Sequence, residues 1–311
     1  FYVKNIWSAS VYKYCLFLII CVILWLHIKQ LLYLVGGYFM PEIAEVETVR
    51  NTSKERILHK KIKSIAIYYN GILLDSEDTF KNALIGKEFI DIKRIGKWLL
   101  FETDTHYLLS HLRMEGKYFI KDEHEPIAKH EHIVFNFVDG VTLRYHDTRK
   151  FGRMKVLKKE ELYTFEGIKK QGIEPISDKL TKEYLYKKLK NKKIPMKTLM
   201  LDQTIISGLG NIYADEVLFE AGILPMRLGT TITEEECEKI TKAAKDIITR
   251  AIAMGGTTIR SYTSSLGVTG RFQQCLSVHK RENEKCKACG TIIKRTKIGG
   301  RSTYYCENCQ K

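Results

Sequence analysis

The feature that constrains this chain most is a set of four cysteines, arranged as two pairs near its C-terminus. Cys286 and Cys289 are separated by two residues, and so are Cys306 and Cys309. Two such pairs can place four thiolates tetrahedrally around one zinc ion and leave no coordination position open. The segments between the pairs have the pattern of two short strands. The spacing therefore predicts a small basic zinc ribbon, suited to contact with DNA or to a purely structural role.

The charge balance indicates a polyanionic partner. The chain holds 51 Lys and Arg against 36 Asp and Glu, a formal charge of +15. A balance this basic favours nucleic acid, although a solvated lysine-rich surface would give the same number. The cysteines outside the two pairs are scattered, which is typical of a reducing cytosol rather than of a disulfide framework.

Residues 1–39 differ from the rest of the chain because they are apolar and contain no acidic residue. Their continuous apolar run, residues 15–26, is shorter than the roughly 20 residues of a membrane span and is nearer a signal-peptide core. Three interpretations are open: a signal or anchor, a cytosolic extension, and translated sequence upstream of a start at Met40. We favour the third and expect this extension to be absent from the mature protein.

The hydrophobic pattern predicts an α+β fold. One amphipathic helix over residues 43–58 is followed by about eight short strands, of which the second is expected over residues 88–92 and the third over residues 98–102. Residues 133–138, in a later strand, alternate between two faces. These strands predict an antiparallel sandwich or barrel. Past residue 170 the pattern becomes helical, and a loop rich in Thr, Ser and Gly leads into the cysteine ribbon. We expect a domain boundary near residue 170.

Pro41 and Glu42 are the first candidates for chemistry. Removal of Met40 would leave Pro41 with a free secondary amine, which attacks a sugar aldehyde carbon to give an iminium. The carboxylic acid of Glu42, its immediate neighbour, can protonate a departing group. The alternative is an ordinary helix start, with Pro at the first position and acids in the first turn.

Four other segments carry candidate functional groups. The glycine-rich run before Asn211 can bring backbone N–H groups close to a phosphate, and Asn211 can cap the following helix or donate to that phosphate. Lys97 directly precedes an apolar strand, a position at which most lysines are simply solvated. Phe151 follows Arg149 by two residues in a polar loop, and apolar side chains of this kind can be inserted between base steps. Met114 lies beside a turn, although a methionine there is more often a core filler.

Together these segments resemble formamidopyrimidine-DNA glycosylase, a family of bacterial repair enzymes for oxidised purines. The similarity extends from Met40 to Lys311 and rests on motifs in the family's order: PEIAEVETVR, GKWLLF, HLRMEGKY, DTRKFG, LDQTIISGLGNIYADEVLFEAGI and GGRSTYYCENCQK. It implies an N-terminal antiparallel β-sandwich with one helix, a C-terminal helical domain with a helix–two-turn–helix motif, and a four-cysteine zinc finger. The domains implied are residues 40–168, 169–274 with a lesion-capping loop at 257–272, and 275–311.

The resemblance also implies catalytic roles. Pro41 would be the Schiff-base nucleophile, and Glu42 the acid that assists opening of the sugar ring. Lys97 would process the damaged base and the backbone. Arg301, in the zinc finger, would bind the phosphates flanking the lesion and donate a proton in the second elimination. The four cysteines would hold one structural zinc ion that takes no part in the chemistry.

The remaining implied residues contact DNA. Met114, Arg149 and Phe151 would fill the gap left by the flipped nucleotide, with Arg149 facing the orphan cytosine. The implied phosphate contacts are His130, Lys192 and Asn211. The partner would be double-stranded DNA containing oxidised purines or abasic sites, bound by a cytoplasmic bacterial monomer that needs no protein partner.

The chain departs from the family pattern at a few positions. Ile43 and Ala44 replace the usual Leu and Pro, Lys150 replaces a frequent Arg, and His279-Lys280 replaces Tyr-Gly. None of these changes removes a catalytic group.

Three alternatives stay open. The first is an endonuclease VIII-type glycosylase for oxidised pyrimidines, although the Arg149–Phe151 pair and the long glycine-rich loop before Phe272 favour the purine enzyme. The second is a non-catalytic lesion-binding protein, if Pro41 is not the mature N-terminus. The third is a membrane-anchored protein, which rests on residues 1–39 alone.

Overall fold

The structure is a computed structural model, and it describes residues 41–257 and 270–311. The predicted N-terminal extension and most of the predicted capping loop lie outside the described residues. Within the described ranges, no helix is both long enough and apolar enough to cross a membrane.

The N-terminal half contains helix α1 (Ile43–Ile57), a second short helix and two four-stranded antiparallel sheets. One sheet has the strand order β1-β6-β7-β5, and the other has the order β2-β3-β4-β8. The strands are β1 Ile62–Ile67, β2 Asp91–Ile95, β3 Trp98–Glu102, β4 His106–His111, β5 Lys117–Asp122, β6 Glu131–Phe137, β7 Val141–His146 and β8 Arg153–Lys158. The predicted antiparallel sandwich is confirmed.

The two sheets enclose one apolar core. Phe135 and Leu143 of the first sheet and Phe101 and Leu108 of the second are fully buried in the same cluster, which also takes in Val46 of α1. Alternation along each strand sends every second side chain into this layer. The core therefore fixes α1, and with it the segment that follows Pro41, against the edge of the sandwich.

A second helix in this half, α2 (Glu77–Leu84), was not predicted, so the expectation of a single helix was wrong. Ser76 caps it, since its hydroxyl accepts a hydrogen bond of 3.1 Å from the N–H of Thr79. Phe80 and Leu84 are buried on its inner face. With only eight residues, the helix offers too few apolar repeats to stand out from the strand patterns around it.

The C-terminal half is helical. Its helices are α3 Glu166–Lys169, α4 Lys182–Leu189, α5 Met196–Leu201, α6 Asn211–Glu220 and α7 Glu234–Ala253. Helices α5 and α6 are joined through two successive turns over residues 202–210, which is the helix–two-turn–helix arrangement. The 20-residue α7 begins with a capping box, in which the Thr233 hydroxyl accepts from the N–H of Glu236 and the Glu236 carboxylate accepts from the N–H of Thr233. It packs against α1, α4 and α6.

The chain ends in a two-stranded ribbon, β9 (Lys294–Ile298) and β10 (Arg301–Tyr305), joined by Gly299 and Gly300. Both glycines have positive φ, which a tight hairpin turn requires. The ribbon is tied to the helical half because Gln310 donates a 2.8 Å hydrogen bond to the carbonyl of Ile223. Contacts between α6 and β10 place Arg301 near the start of α6.

Candidate active site

The Glu42 side chain lies at the junction of the two halves. Its carboxylate accepts hydrogen bonds from three backbone N–H groups of the α6 N-terminus: Gly210 at 2.7 Å, Ile212 at 2.9 Å and Tyr213 at 3.3 Å. A helix N-terminus presents unpaired N–H groups that favour a carboxylate. Glu42 is 2% exposed, and this burial raises the pKa of its carboxyl above the usual value. The positive charge of Lys97 and the N–H of Ile212 oppose that rise.

Lys97 reaches the same junction from the sandwich side. It follows Gly96, whose φ of 57° turns the chain between β2 and β3. Its ammonium donates a 2.8 Å hydrogen bond to the carbonyl of Leu209, next to the N–H groups that hold Glu42. Burial lowers the pKa of Lys97, the Glu42 carboxylate opposes that shift, and Arg301 adds to it. Three of the predicted catalytic groups, Glu42, Lys97 and Arg301, therefore share one electrostatic environment.

Glu45 is a site residue that was not predicted from the sequence. Its carboxylate accepts hydrogen bonds from the Glu42 N–H at 3.0 Å and from the Tyr213 hydroxyl at 2.9 Å. It also accepts from the N–H and the hydroxyl of Thr257, at 2.7 and 2.9 Å. Glu45 thus ties the first turn of α1 to α6 and to the residue that begins the predicted capping loop. The sequence did carry one signal for Glu45: it follows Glu42 by three residues, which is the spacing of a capping box at a helix start.

Two of the three predicted gap-filling residues line a cavity of about 330 Å³. Met114 and Phe151 line it together with Arg301, and Phe151 remains 45% exposed. Arg149 lies with its guanidinium 4.7 Å from the centre of the Phe151 ring. The structure therefore brings these residues together, with cationic and apolar side chains around one opening. Two further arginines on the cavity wall, Arg113 and Arg153, were not predicted.

Asp147 shapes the loop that carries Arg149 and Phe151. Its buried carboxylate accepts from the Arg149 N–H at 3.0 Å and from the Gly152 N–H at 2.8 Å. A side chain added at Gly152 would meet the Tyr145 hydroxyl at 1.7 Å. The loop is therefore fixed at both ends, and Phe151 projects from between two anchored positions.

The predicted phosphate-binding residues lie on three separate elements. His130 precedes β6 with a φ of 74°, and its ring lies 5.9 Å from that of His146. Lys192 is exposed between α4 and α5. Asn211 begins α6, and its amide donates a 2.9 Å hydrogen bond to the carbonyl of Ser302, beside Arg301. Among the described residues, the buried Oδ1 of Asn211 finds no hydrogen-bond partner.

The four paired cysteines converge as predicted. Their sulfur atoms all lie within 4.8 Å of one another, with 3.9 Å between Cys286 and Cys309 and 3.5 Å between Cys289 and Cys306. Zn–S bonds of about 2.3 Å in a tetrahedron require sulfur atoms roughly 3.8 Å apart. The donor set therefore fits a zinc ion with four thiolate ligands, and the site is structural.

The comparisons with known proteins agree with this architecture. The N-terminal domain model of formamidopyrimidine-DNA glycosylase matches residues 40–154, and the H2TH domain model of the same enzyme matches residues 171–263. A zinc finger model described as found in FPG and IleRS matches residues 283–311. The class that the fold and site define is thus a zinc-finger protein with a helix–two-turn–helix domain.

Individual relatives narrow the class to a family. The formamidopyrimidine-DNA glycosylase of Listeria monocytogenes is 42% identical over 273 residues, which span 88% of this chain and the whole of that protein. A complex of Lactococcus lactis Fpg with DNA containing an abasic site is 38% identical, with a TM-score of 0.83, and covers 87% of this chain and 99% of that one. A complex of the wild-type Lactococcus lactis protein with DNA containing N7-benzyl-Fapy-dG also gives a TM-score of 0.83 at 38% identity, over 87% of this chain and all of that one. This chain belongs to the formamidopyrimidine-DNA glycosylase family.

Proposed function

We infer that this protein is a bifunctional DNA glycosylase and abasic-site lyase for oxidised purines, namely 8-oxoguanine and formamidopyrimidines. The observation that carries the inference is the buried Glu42–Lys97 pair at the start of α6, directly after Pro41. A secondary amine, an acid and an ammonium group at one junction suit cleavage of a glycosidic bond followed by elimination.

Access to the damaged base requires that its nucleotide leaves the duplex, at a cost of a few kcal/mol. Met114 and Phe151 fill the space left behind, and Arg149, stacked on Phe151, hydrogen-bonds the orphan cytosine. Support for this assignment comes from the cavity that Met114 and Phe151 both line, from the contact between Arg149 and the Phe151 ring, and from the 45% exposure of Phe151. Inserted apolar side chains offset part of the unstacking cost.

Chemistry begins when the nitrogen of Pro41 attacks C1′. The bond from C1′ to the base breaks, its electron pair leaves with the base, and the base takes up the proton that the Pro41 nitrogen loses. Glu42 protonates the ring oxygen as the sugar opens, which leaves an iminium between Pro41 and C1′. The iminium acidifies the C2′ proton, whose loss expels the 3′ phosphate. A second elimination expels the 5′ phosphate, with Arg301 as proton donor, and Lys97 assists in processing the base and the backbone.

Binding to DNA rests on phosphate contacts. His130, Lys192 and Asn211 hold the backbone, and the zinc ribbon presents Arg301 to the phosphates that flank the lesion. The domains of this proposal are the sandwich at residues 40–168, the helix–two-turn–helix domain at 169–274 and the finger at 275–311. Each molecule acts as a monomer, in the cytoplasm with the bacterial nucleoid.

The test uses a form of the protein that begins at Pro41. It is incubated with duplexes carrying 8-oxoguanine opposite cytosine, an oxidised pyrimidine opposite adenine, or no lesion. Cleavage of the 8-oxoguanine strand to β,δ-elimination products is the expected result. Preferred cleavage of the pyrimidine lesion would support the endonuclease VIII-type alternative. Binding without cleavage of any duplex would support a non-catalytic lesion-binding protein.

A further inference from the structure

Three buried ionisable side chains form a cluster at α6: Asp215 on the helix itself, Lys197 and His279. None of them takes part in the chemistry above. Asp215 has a fully buried carboxylate. One of its oxygens accepts from the ammonium of Lys197 at 2.6 Å, and the other lies 2.7 Å from Nδ1 of His279. Because an ionised carboxylate can only accept, the ring proton of His279 is assigned to Nδ1. Separating a buried charge from its partner is costly, so the three side chains hold one another in place.

The cluster is connected to β10, the strand that begins with Arg301, at two points. The ring of His279 packs edge-on against Tyr304, with 5.0 Å between ring centres. Lys197 also donates a 2.8 Å hydrogen bond to the carbonyl of Asn211, whose side-chain amide holds the carbonyl of Ser302. Asp215 binds both side chains that make these connections, His279 and Lys197.

The segment that carries His279 is held from the next residue of α6 as well. The carboxylate of Glu216 accepts from the N–H groups of Ser277, Val278 and His279, at 2.7, 3.0 and 2.8 Å. These bonds fix the backbone at His279 whatever its side chain is. A substitution of the His279 ring therefore alters the contact with Asp215 and the packing on Tyr304 while the backbone stays anchored.

We propose that the hydrogen bond between His279 and Asp215 is a positioning contact, which holds β10 so that Arg301 reaches the phosphate expelled in the second elimination. This proposal rests on the role of Arg301 in the proposed function. Glu42 and Lys97 are held in place by hydrogen bonds to the backbone of residues 209–213, and none of these bonds comes from the finger. Loss of the contact should therefore slow the second elimination and spare base excision.

Two substitutions separate the hydrogen bond from the ring packing. His279→Phe keeps an aromatic ring against Tyr304 and removes the donor to Asp215. His279→Asn loses the ring and keeps an N–H donor near the position of Nδ1. The proposal expects the Phe variant to be impaired and the Asn variant to resemble the parent protein.

Each variant is made in the form that begins at Pro41 and is checked for bound zinc and melting temperature. Base excision is measured in single turnover on an 8-oxoguanine duplex, and the ratio of β to β,δ products is measured on an abasic duplex. We expect His279→Phe to slow the second elimination roughly tenfold, the effect of losing one hydrogen bond to a charged group, with excision changed less than about threefold. Arg301→Ala serves as the reference for complete loss of the proton donor.

Several outcomes would overturn the proposal. A zinc-loaded His279→Phe protein with the parent product ratio would show that the contact positions nothing. A proportional fall in excision and elimination, or loss of zinc, would show general damage to the fold. Impairment of the Asn variant alone would assign the role to ring packing. A normal second elimination in Arg301→Ala would overturn the assigned role of Arg301 and this proposal with it, whereas an impaired Arg301→Ala beside a normal His279→Phe would overturn the proposal alone.

Discussion

The carboxylate of Glu42 accepts a hydrogen bond of 2.7 Å from the backbone N–H of Gly210, 168 residues further along the chain. This bond joins the β-sandwich half to the helical half at the point where the chemistry is proposed. Gly210 has an extended backbone that any residue can adopt, so its importance lies in the missing side chain. A Cβ placed there would lie 2.3 Å from Cδ of Glu42 and 2.6 Å from its Oε1.

Gly210→Ala should therefore displace the Glu42 carboxyl without unfolding the protein. General acid catalysis contributes about 10²–10⁴-fold, so we expect single-turnover excision of 8-oxoguanine to fall roughly a hundredfold or more. Affinity for a duplex with an abasic-site analogue should stay within several-fold of the parent value. Glu42→Gln is the matched reference, and the double variant should excise no more slowly than the slower single variant. A Gly210→Ala protein with parental activity would contradict this account of the site.

The pH dependence of excision follows from the direction of the Glu42 shift. Burial raises the pKa of this carboxyl above its usual 4.5, so the acid form persists to higher pH than in an exposed glutamate. An acid catalyst works only when protonated and the Pro41 amine attacks only when unprotonated, so the rate should rise with pH on the acid side and fall on the alkaline side, where loss of protonated Glu42 is no longer offset by deprotonation of the amine. Single-turnover excision rates measured over a range of pH give the pH–rate profile. The falling limb of this profile should be absent in Glu42→Gln. If the falling limb of the wild-type profile were unchanged in Glu42→Gln, that limb would belong to another titrating group.

The fold and the metal site could be predicted well from the sequence because both depend on local pattern. Strand β3 begins and ends at the predicted residues, since Trp98–Glu102 is a continuous apolar run closed by an acid. The cysteine spacing by itself identifies the zinc ligands. The second strand was misplaced: residues 88–92 were expected and Asp91–Ile95 is observed, because Phe89 is buried in the core without pairing in a sheet.

The contacts across the junction could not be predicted. Glu45 bonds to Tyr213 and Thr257, which lie 168 and 212 residues away, and no periodicity in the sequence records such a pairing. The buried Lys197–Asp215–His279 cluster is hidden in the same way, because in the sequence each of these residues resembles a solvated charge. Tertiary packing alone decides which charges are buried, and it therefore decides which ones hold the structure together.

Loss of one zinc ligand should disable the finger and leave the sandwich intact. Cys306 is fully buried, and Cys306→Ser should release the metal, because structural zinc supplies much of the folding free energy of small ribbons. Unfolding of the ribbon displaces Arg301, so DNA binding and cleavage should fall together. Metal analysis, duplex affinity and circular dichroism of the β-rich half provide the measurements. Fully active protein that contains no zinc would refute the prediction.

Arg149 should determine the preference for the base opposite the lesion. Its guanidinium lies 4.7 Å from the centre of the Phe151 ring, and Phe151 lines the cavity that Met114 also lines. Arg149→Ala should lower activity and narrow the difference between cytosine and adenine opposite 8-oxoguanine. Excision rates on the two duplexes measure this difference, and an unchanged preference would show that the assignment is wrong.

Lys192→Ala is the matched control for Arg149, because Lys192 is an exposed residue assigned to a phosphate rather than to a base. It should weaken binding to all duplexes alike and reduce the slope of log affinity against log salt by roughly one unit. A change in base preference in this variant would contradict the division between phosphate contact and base contact.

The last prediction concerns the amine of Pro41. A proline nitrogen inside a peptide bond has given its lone pair to amide resonance and carries no hydrogen, so it cannot attack C1′. A form that begins at Pro41 should cleave the 8-oxoguanine duplex and be trapped as a covalent adduct by borohydride, which reduces the iminium. The 311-residue form should fail to cleave and fail to be trapped. Pro41→Gly in the shorter form replaces the secondary amine with a primary amine, which can still attack C1′, and should retain some activity.

The decisive comparison is borohydride trapping of the two purified forms side by side, with each mass checked by mass spectrometry. The duplex carries a preformed abasic site, so that base excision does not limit the result. Glu42 lies next to Pro41 in both forms, and any difference in trapping therefore reports the state of the Pro41 nitrogen rather than the acid. If the intact 311-residue form is trapped as well as the form that begins at Pro41, then Pro41 is not the nucleophile and the proposed mechanism fails.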